Sequence, residues 1–210
     1  MLELFVTVLA ALFSVVDPPG AIPLFLAMTP DYTKRERNQT ARNTAFWFIA
    51  LMLAFFLAGT YILSFFGITL NAVRIAGGLI ILSSGYALLE GKFGESRAIN
   101  DKVKDEAIEK EDISFAPLAM PMLSGPGSIS LLIGMYAENP DWSARGVIIT
   151  AVLILGLSIY LILRASPMLY RIMGVAGLKA LSRIMGFLVM AIGIQFIIQG
   201  IVSLVGELAG

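Results

Sequence analysis

The sequence predicts an all-α integral membrane protein: six transmembrane helices forming two inverted three-helix repeats, with helices 1 and 4 interrupted at Pro/Gly motifs. Three observations predict it. Of 210 residues, 58% are hydrophobic and 14% charged, with a mean hydropathy of +0.85, whereas a soluble domain is about 45–50% apolar and about 25% charged. The second observation is an internal echo. The run Pro19-Gly20-Ala21-Ile22-Pro23-Leu24-Phe25-Leu26-Ala27-Met28 returns loosely as Pro126-Gly127-Ser128-Ile129-Ser130-Leu131-Leu132-Ile133-Gly134-Met135, 107 positions later. Likewise Arg74-Ile75-Ala76-Gly77 returns as Arg183-Ile184-Met185-Gly186 at an offset of 109. Third, each repeat holds three long apolar segments, an odd number, so the second copy enters the membrane from the opposite side. Inverted repeats with matching Gly/Pro interruptions are the pattern of secondary transporters, and the interruptions point to the binding site.

Segment 1, about 3–28, has no basic leader, carries Glu3 and runs through Asp17-Pro18-Pro19 into more apolar chain; it reads as a retained helix, not a signal peptide. Proline removes a helix hydrogen bond and clashes with the preceding turn, so Asp17-Pro18-Pro19-Gly20 breaks this helix. Segments 2 and 3, about 44–66 and 70–90, are uninterrupted and long enough to span a bilayer. Residues 1–90 thus form the first repeat. Residues 91–112 hold five basic and seven acidic side chains and read as a charged cytoplasmic linker. The second, inverted repeat is 113–210: segment 4 at about 113–137, broken at Ser124-Gly125-Pro126-Gly127, then segments at about 146–164 and 183–205. Gly78 and Gly85 recur every seven residues on helix 3, as do Gly186, Gly193 and Gly200 on helix 6. In lipid such small-residue stripes mark close helix contacts. Packing of one repeat on the other is the first reading; a homo-oligomer seam or a substrate path is the second.

Charge sets the orientation. Thirteen of the fifteen Lys and Arg fall between helices 1 and 2, 3 and 4, or 5 and 6; only Arg74 and Arg145 lie opposite. The positive-inside rule makes those three loops cytoplasmic and puts both termini outside. With no cysteine and no histidine, disulfides, thiol nucleophiles and the usual zinc sites are excluded. No cofactor is expected. A formal net charge of zero gives no reason to expect nucleic acid. An enzyme is disfavoured too, because the apolar segments hold a single central acid for general acid–base work.

The two interruptions are the candidate substrate site: Asp17, Pro19, Gly20 and Ala21 from the first, and Ser124, Gly125, Pro126, Gly127 and Ser128 from the second. Open backbone cannot face lipid, so both must be buried in protein or line a polar cavity. Asp17 and Ser124 are favoured N-caps, each starting a half-helix. The copies differ in charge. Pro18 and Pro19 offer no N–H and Asp17 adds a negative charge, which suits a cation. Around neutral Ser124, the amides of Gly125, Gly127 and Ser128 sit at a positive helix end, which suits a carboxylate. A small zwitterion fits both. Asp17, the only acid deep in a membrane segment, is the candidate for ion coupling, with the proton the favoured ion. Arg74 and Arg183, equivalent in the repeats, are gate or interface candidates. Gln195 and Gln199 share a face of helix 6 and are expected to hydrogen-bond between helices.

The run Asp17-Pro18-Pro19-Gly20-Ala21-Ile22-Pro23-Leu24-Phe25, with Arg74-Ile75-Ala76-Gly77-Gly78 and Pro117-Leu118-Ala119-Met120-Pro121 leading into Ser124-Gly125-Pro126-Gly127, resembles the MarC family, also called the SnatA or neutral amino-acid transporter family. Many relatives have alanine where Ser124 stands, a change that leaves the backbone chemistry intact. The resemblance implies a six-helix prokaryotic inner-membrane protein related to the LysE exporter group, with some members linked to glycine- and alanine-like amino acids and dependent on an ion gradient, most directly protons. The residues supply no broad aromatic pocket for multidrug efflux. The expectation is therefore a proton-coupled secondary transporter of small neutral amino acids, working by alternating access around helices 1 and 4. The alternatives are an exporter of other specificity and a passive channel or facilitator.

Overall fold

The computed structural model describes residues 1–90 and 113–209, so the charged linker expected at 91–112 lies outside the described residues. Among the described residues the chain is helical and carries no strand. In order come α1 (Leu2–Val16), a tight 3₁₀ turn (Pro18–Ala21), α2 (Ile22–Ala27), α3 (Lys34–Phe65), α4 (Leu70–Glu90), α5 (Ser114–Leu123, a wide π-type segment rather than a regular α-helix), α6 (Pro126–Glu138), α7 (Trp142–Arg164) and α8 (Ser166–Ala209). Five stretches are long and apolar enough to cross a membrane: Leu2–Ala27, Lys34–Phe65, Leu70–Glu90, Trp142–Arg164 and Ser166–Glu207. The bent pair α5 and α6 makes a sixth if it is counted as one span.

Several helices exceed their predicted lengths, for local reasons. The second segment starts at Lys34 rather than near 44, because Thr33 and Glu36 form a reciprocal capping box ahead of a polar run of good helix formers. Glu36 accepts from the Thr33 N–H at 2.7 Å, and the Glu36 N–H donates to Thr33 Oγ1 at 3.3 Å. At the other end of the chain, the expected loop before 183 is helical from Ser166. The single departure inside α8 is Gly174, at φ 62 and ψ −178, a conformation open to glycine for want of a Cβ.

One apolar core joins all the spans. It includes Leu12 and Val16 of α1, Phe25 of α2, Phe48, Met52 and Phe56 of α3, Ile81 of α4, Leu132 of α6, Ile148 and Leu155 of α7, and Val189 of α8. Along α3 the buried positions Ala41, Ala45, Phe48, Met52, Phe56 and Gly59 step by three or four, placing one stripe inward. Outward-facing Tyr61, Phe65, Leu157, Leu161, Ile194 and Val202 form an exposed apolar surface suited to lipid.

The most extensive pairing joins α4 to α8 through the predicted glycine stripes. Gly78 lies against Gly193, Gly85 against Gly186, and Asn71 against Gly200, so the two helices run antiparallel. The pair ends in a hydrogen bond from Asn71 Nδ2 to Glu207 Oε1 at 3.1 Å. A further clamp was not expected from the sequence. Arg37 of α3 donates from Nη2 to the Thr29 carbonyl at 2.7 Å and from Nε to Thr29 Oγ1 at 3.3 Å, fastening the end of α2 to the start of α3.

Candidate functional site

The first interruption is built by Asp17. Its N–H donates to the Phe13 carbonyl at 2.9 Å and closes α1, while its own backbone turns left-handed at φ 46, ψ 64. Aspartate is among the few non-glycine residues that reach this region at modest cost. Gly20 N–H then donates both to the Asp17 carbonyl at 3.1 Å and, at a longer 3.4 Å, to Asp17 Oδ1. Pro18 and Pro19 have no N–H to satisfy and suit the first positions of the turn. Asp17, Pro18, Pro19, Gly20 and Ala21 are all buried, and Asp17 is 0% exposed. Among the described residues it is the one fully buried ionisable side chain.

The second interruption is a bend of 65° between α5 and α6. Within α5 the backbone is extended at Ala116 and at Met120, each just ahead of a proline, as expected of residues that precede proline. Ser124 does not cap α6 as its sequence suggested. Its N–H donates back to the Ala119 carbonyl at 2.8 Å, so it ends α5, and Gly125, at φ −77 and ψ 166, occupies the N-cap of α6 instead. Glycine has no side chain to accept from the first turn, and Pro126 at the first helical position carries no N–H. The amides of Gly127 and Ser128 follow at the positive helix end. Ser128 Oγ donates to the Gly125 carbonyl at 2.9 Å. Ser124, Gly127 and Ser128 are buried, Gly125 is half-buried and Pro126 is exposed. The Ser124 hydroxyl, in a residue 1% exposed, has no hydrogen-bond partner among the described residues.

Tertiary packing brings the first interruption against the segment that leads into the second. The Pro18–Ala21 turn packs against α5, the segment that Ser124 terminates, and against α7 and α8. Gly127 faces Ile81 on α4, where a Cβ would meet Ile81 Cγ1 at 3.0 Å. A buried Thr44 hydroxyl on α3, also without a partner, stands one turn before Trp47, whose ring meets Phe115 of α5 edge-on at 5.2 Å.

The two arginine candidates separate. Arg74 forms an ion pair with Glu138 at 2.7 Å, joining the start of α4 to the end of α6. Arg183 is exposed on α8 and makes no ion pair with any described residue. Gln195 and Gln199 also face outward on α8 rather than bonding to another helix, because the glycine face of α8 is the one turned to α4. Beside Glu138, Arg145 lies 3.7 Å over the Tyr136 ring and donates to the Asn139 carbonyl at 2.9 Å. The signal for Arg145 was its isolation, as one of two basic residues set apart from the other thirteen.

A bundle of apolar helices, with one polar backbone break buried inside it and a second partly buried, defines a multi-pass integral membrane protein. Residues 2–205 match the family model described as "MarC family integral membrane protein". The chain is 38% identical to a UPF0056 membrane protein of Methanocaldococcus jannaschii over 95% of this chain and 97% of that one. It is 34% identical to the UPF0056 inner membrane protein MarC of Salmonella typhimurium over 98% of both. The chain belongs to the MarC family. No solved structure matches it.

Proposed function

We propose that this protein is a secondary transporter of small neutral amino acids, coupled to protons through Asp17 and lying in the prokaryotic cytoplasmic membrane with both termini outside. The observation that carries the reading is Asp17 itself: a carboxylate 0% exposed, at a left-handed break in the middle of a membrane-length segment. An ionisable residue at membrane depth is costly to keep and marks a transport path far more often than a packing need.

The second break supplies the complementary chemistry. The start of α6 presents the Gly127 and Ser128 amides, and next to them lies the unsatisfied hydroxyl of Ser124. A carboxylate accepting there would use the helix end and give Ser124 an acceptor. The substrate ammonium group is then directed to Asp17. Inverted repeats fit the antiparallel pairing of α4 with α8, since the third helices of two inverted repeats must run in opposite directions. The Arg74–Glu138 ion pair, bridging the ends of α4 and α6, suits a gate that opens and closes between two halves.

The test is reconstitution of the full chain in liposomes with labelled alanine and glycine, with and without an imposed pH gradient, comparing wild type with Asp17→Asn. Gradient-driven uptake that Asp17→Asn abolishes supports the carrier. Unchanged gradient-driven uptake in that variant removes Asp17 from the mechanism, whereas uptake that ignores the gradient favours a passive channel.

A further inference from the structure

On the basic side of the molecule, a cleft of about 490 Å³ opens between the start of α3 and the end of α7. It is lined by Lys34, Arg35, Asn38, Gln39, Arg42 and Tyr160. Among the described residues, three cations and no carboxylate line it. Arg164, at the end of α7, stands at the same place and donates to the Tyr160 hydroxyl at 3.2 Å. The nearest acid on α3, Glu36, is engaged by the Thr33 N–H at 2.7 Å and the Thr33 hydroxyl at 2.8 Å. The positive field of the cleft is therefore uncancelled by its lining.

Local helix physics opposes this arrangement. Lys34 and Arg35 occupy the first turn of α3, where the helix dipole is positive and cations are disfavoured. The positive-inside rule accounts for cations on this side of the membrane, and their crowding onto a positive helix end carries an electrostatic cost. Here an anion in the cleft would reverse the penalty, meeting both the cations and the dipole.

The position of the cleft selects the anion. Directly along α3 from Arg42, the chain turns apolar at Ala45 and Phe46, and Phe46 is exposed. On α7, Leu157 and Leu161 flank Tyr160 and are exposed as well. The helices pack closely just below the cleft, where Gly156 of α7 meets Ile49 of α3. The basic cleft thus sits at the rim of the lipid-facing apolar surface, at headgroup level on the side expected to be cytoplasmic. We propose that this cleft binds the phosphate headgroup of an anionic membrane phospholipid, whose acyl chains run down past Phe46, Leu157 and Leu161. Basic pockets between membrane helices on this side are suited to such lipids.

The test is native mass spectrometry of the full chain in detergent, titrated with phosphatidylglycerol, with phosphatidylcholine of the same acyl chains, or with inorganic phosphate. Phosphatidylglycerol is expected to bind in preference to phosphatidylcholine and to resist displacement by millimolar inorganic phosphate. Each basic residue near an anionic lipid is worth several-fold in affinity, so Lys34→Gln/Arg35→Gln/Arg42→Gln should weaken binding at least ~10-fold. Arg42→Gln alone changes an exposed side chain, keeps the fold, and should weaken it several-fold. Arg171→Gln/Lys179→Gln, on exposed basic residues outside the cleft, should leave binding unchanged. Equal binding by wild type and Arg42→Gln overturns the proposal, as does an equal loss in the Arg171/Lys179 variant, which would indicate diffuse attraction. Complete displacement by inorganic phosphate also overturns it and makes the cleft a site for free anions.

Discussion

Gly193 of α8 faces the backbone of Gly78 on α4 so closely that a Cβ placed on Gly193 would stand 2.8 Å from the Gly78 carbonyl oxygen and 2.7 Å from the Leu82 nitrogen. Both obstacles are main chain, so neither can rotate away. Lipid tails are as apolar as leucine, and helices associate in a bilayer by such close backbone approach rather than by hydrophobic exclusion. Gly193→Val should therefore separate α4 from α8 and cost about 1–3 kcal/mol or more, the usual range for overpacking. Thermal unfolding in detergent measures this. Gly146→Ala is the control, because a Cβ there meets nothing within 4 Å; it should not destabilise the protein and should add up to about 1 kcal/mol through helix propensity.

Charge and geometry can be separated at Asp17. Asparagine caps a helix about as well as aspartate and tolerates the left-handed region. Asp17→Asn should therefore fold with nearly wild-type stability while losing gradient-driven uptake. Asp17→Ala forfeits both the cap to Gly20 and the tolerance for φ 46, and should lose about 1–3 kcal/mol in total. Thermal melts beside flux assays distinguish the two. An Asp17→Asn protein as unstable as Asp17→Ala would mean that the charge itself holds the turn.

Ser124 offers an opposite signature. Its buried hydroxyl lacks a partner, and an unsatisfied buried polar group costs about 1–3 kcal/mol. Ser124→Ala should leave the ligand-free protein as stable as wild type or more so, while weakening substrate binding by about tenfold, the worth of one hydrogen bond to a charged group. Calorimetric titration alongside melting checks both signs. A destabilised Ser124→Ala protein with unchanged affinity would remove Ser124 from the site.

The Arg74–Glu138 pair is half-open to solvent, with side-chain exposures of 11% and 38%. Such pairs contribute little, so a double-mutant cycle of Arg74→Gln and Glu138→Gln should give a coupling of about 1 kcal/mol or less, weakening as salt is raised. A coupling well above that, insensitive to salt, would show that the pair is desolvated.

The two breaks of the candidate site were legible because proline and glycine act locally. Asp17-Pro18-Pro19-Gly20 and Ser124-Gly125-Pro126-Gly127 break their helices whatever surrounds them, and both do. The cap of α6 was not legible. Whether Ser124 or Gly125 begins the helix depends on the Ser124 N–H reaching back to Ala119, and that follows from the extended residues inside α5. The Arg37 clamp on Thr29 was equally hidden, since it needs α2 and α3 folded back on each other.

The sequence by itself determined the membrane class, the MarC-type motifs, the two breaks and the glycine stripes, because hydropathy and backbone sterics are properties of short stretches. Only the tertiary structure decided that those stripes meet in an antiparallel α4–α8 pair. It also decided that, among the described residues, Arg74 rather than Arg183 finds an acidic partner, that Gln195 and Gln199 face outward, and that the basic residues of α3 enclose a cleft with Tyr160. These outcomes depend on which face each helix turns to which neighbour. That choice is made by close packing between segments up to 136 residues apart, as from Asn71 to Glu207, and no local pattern records it.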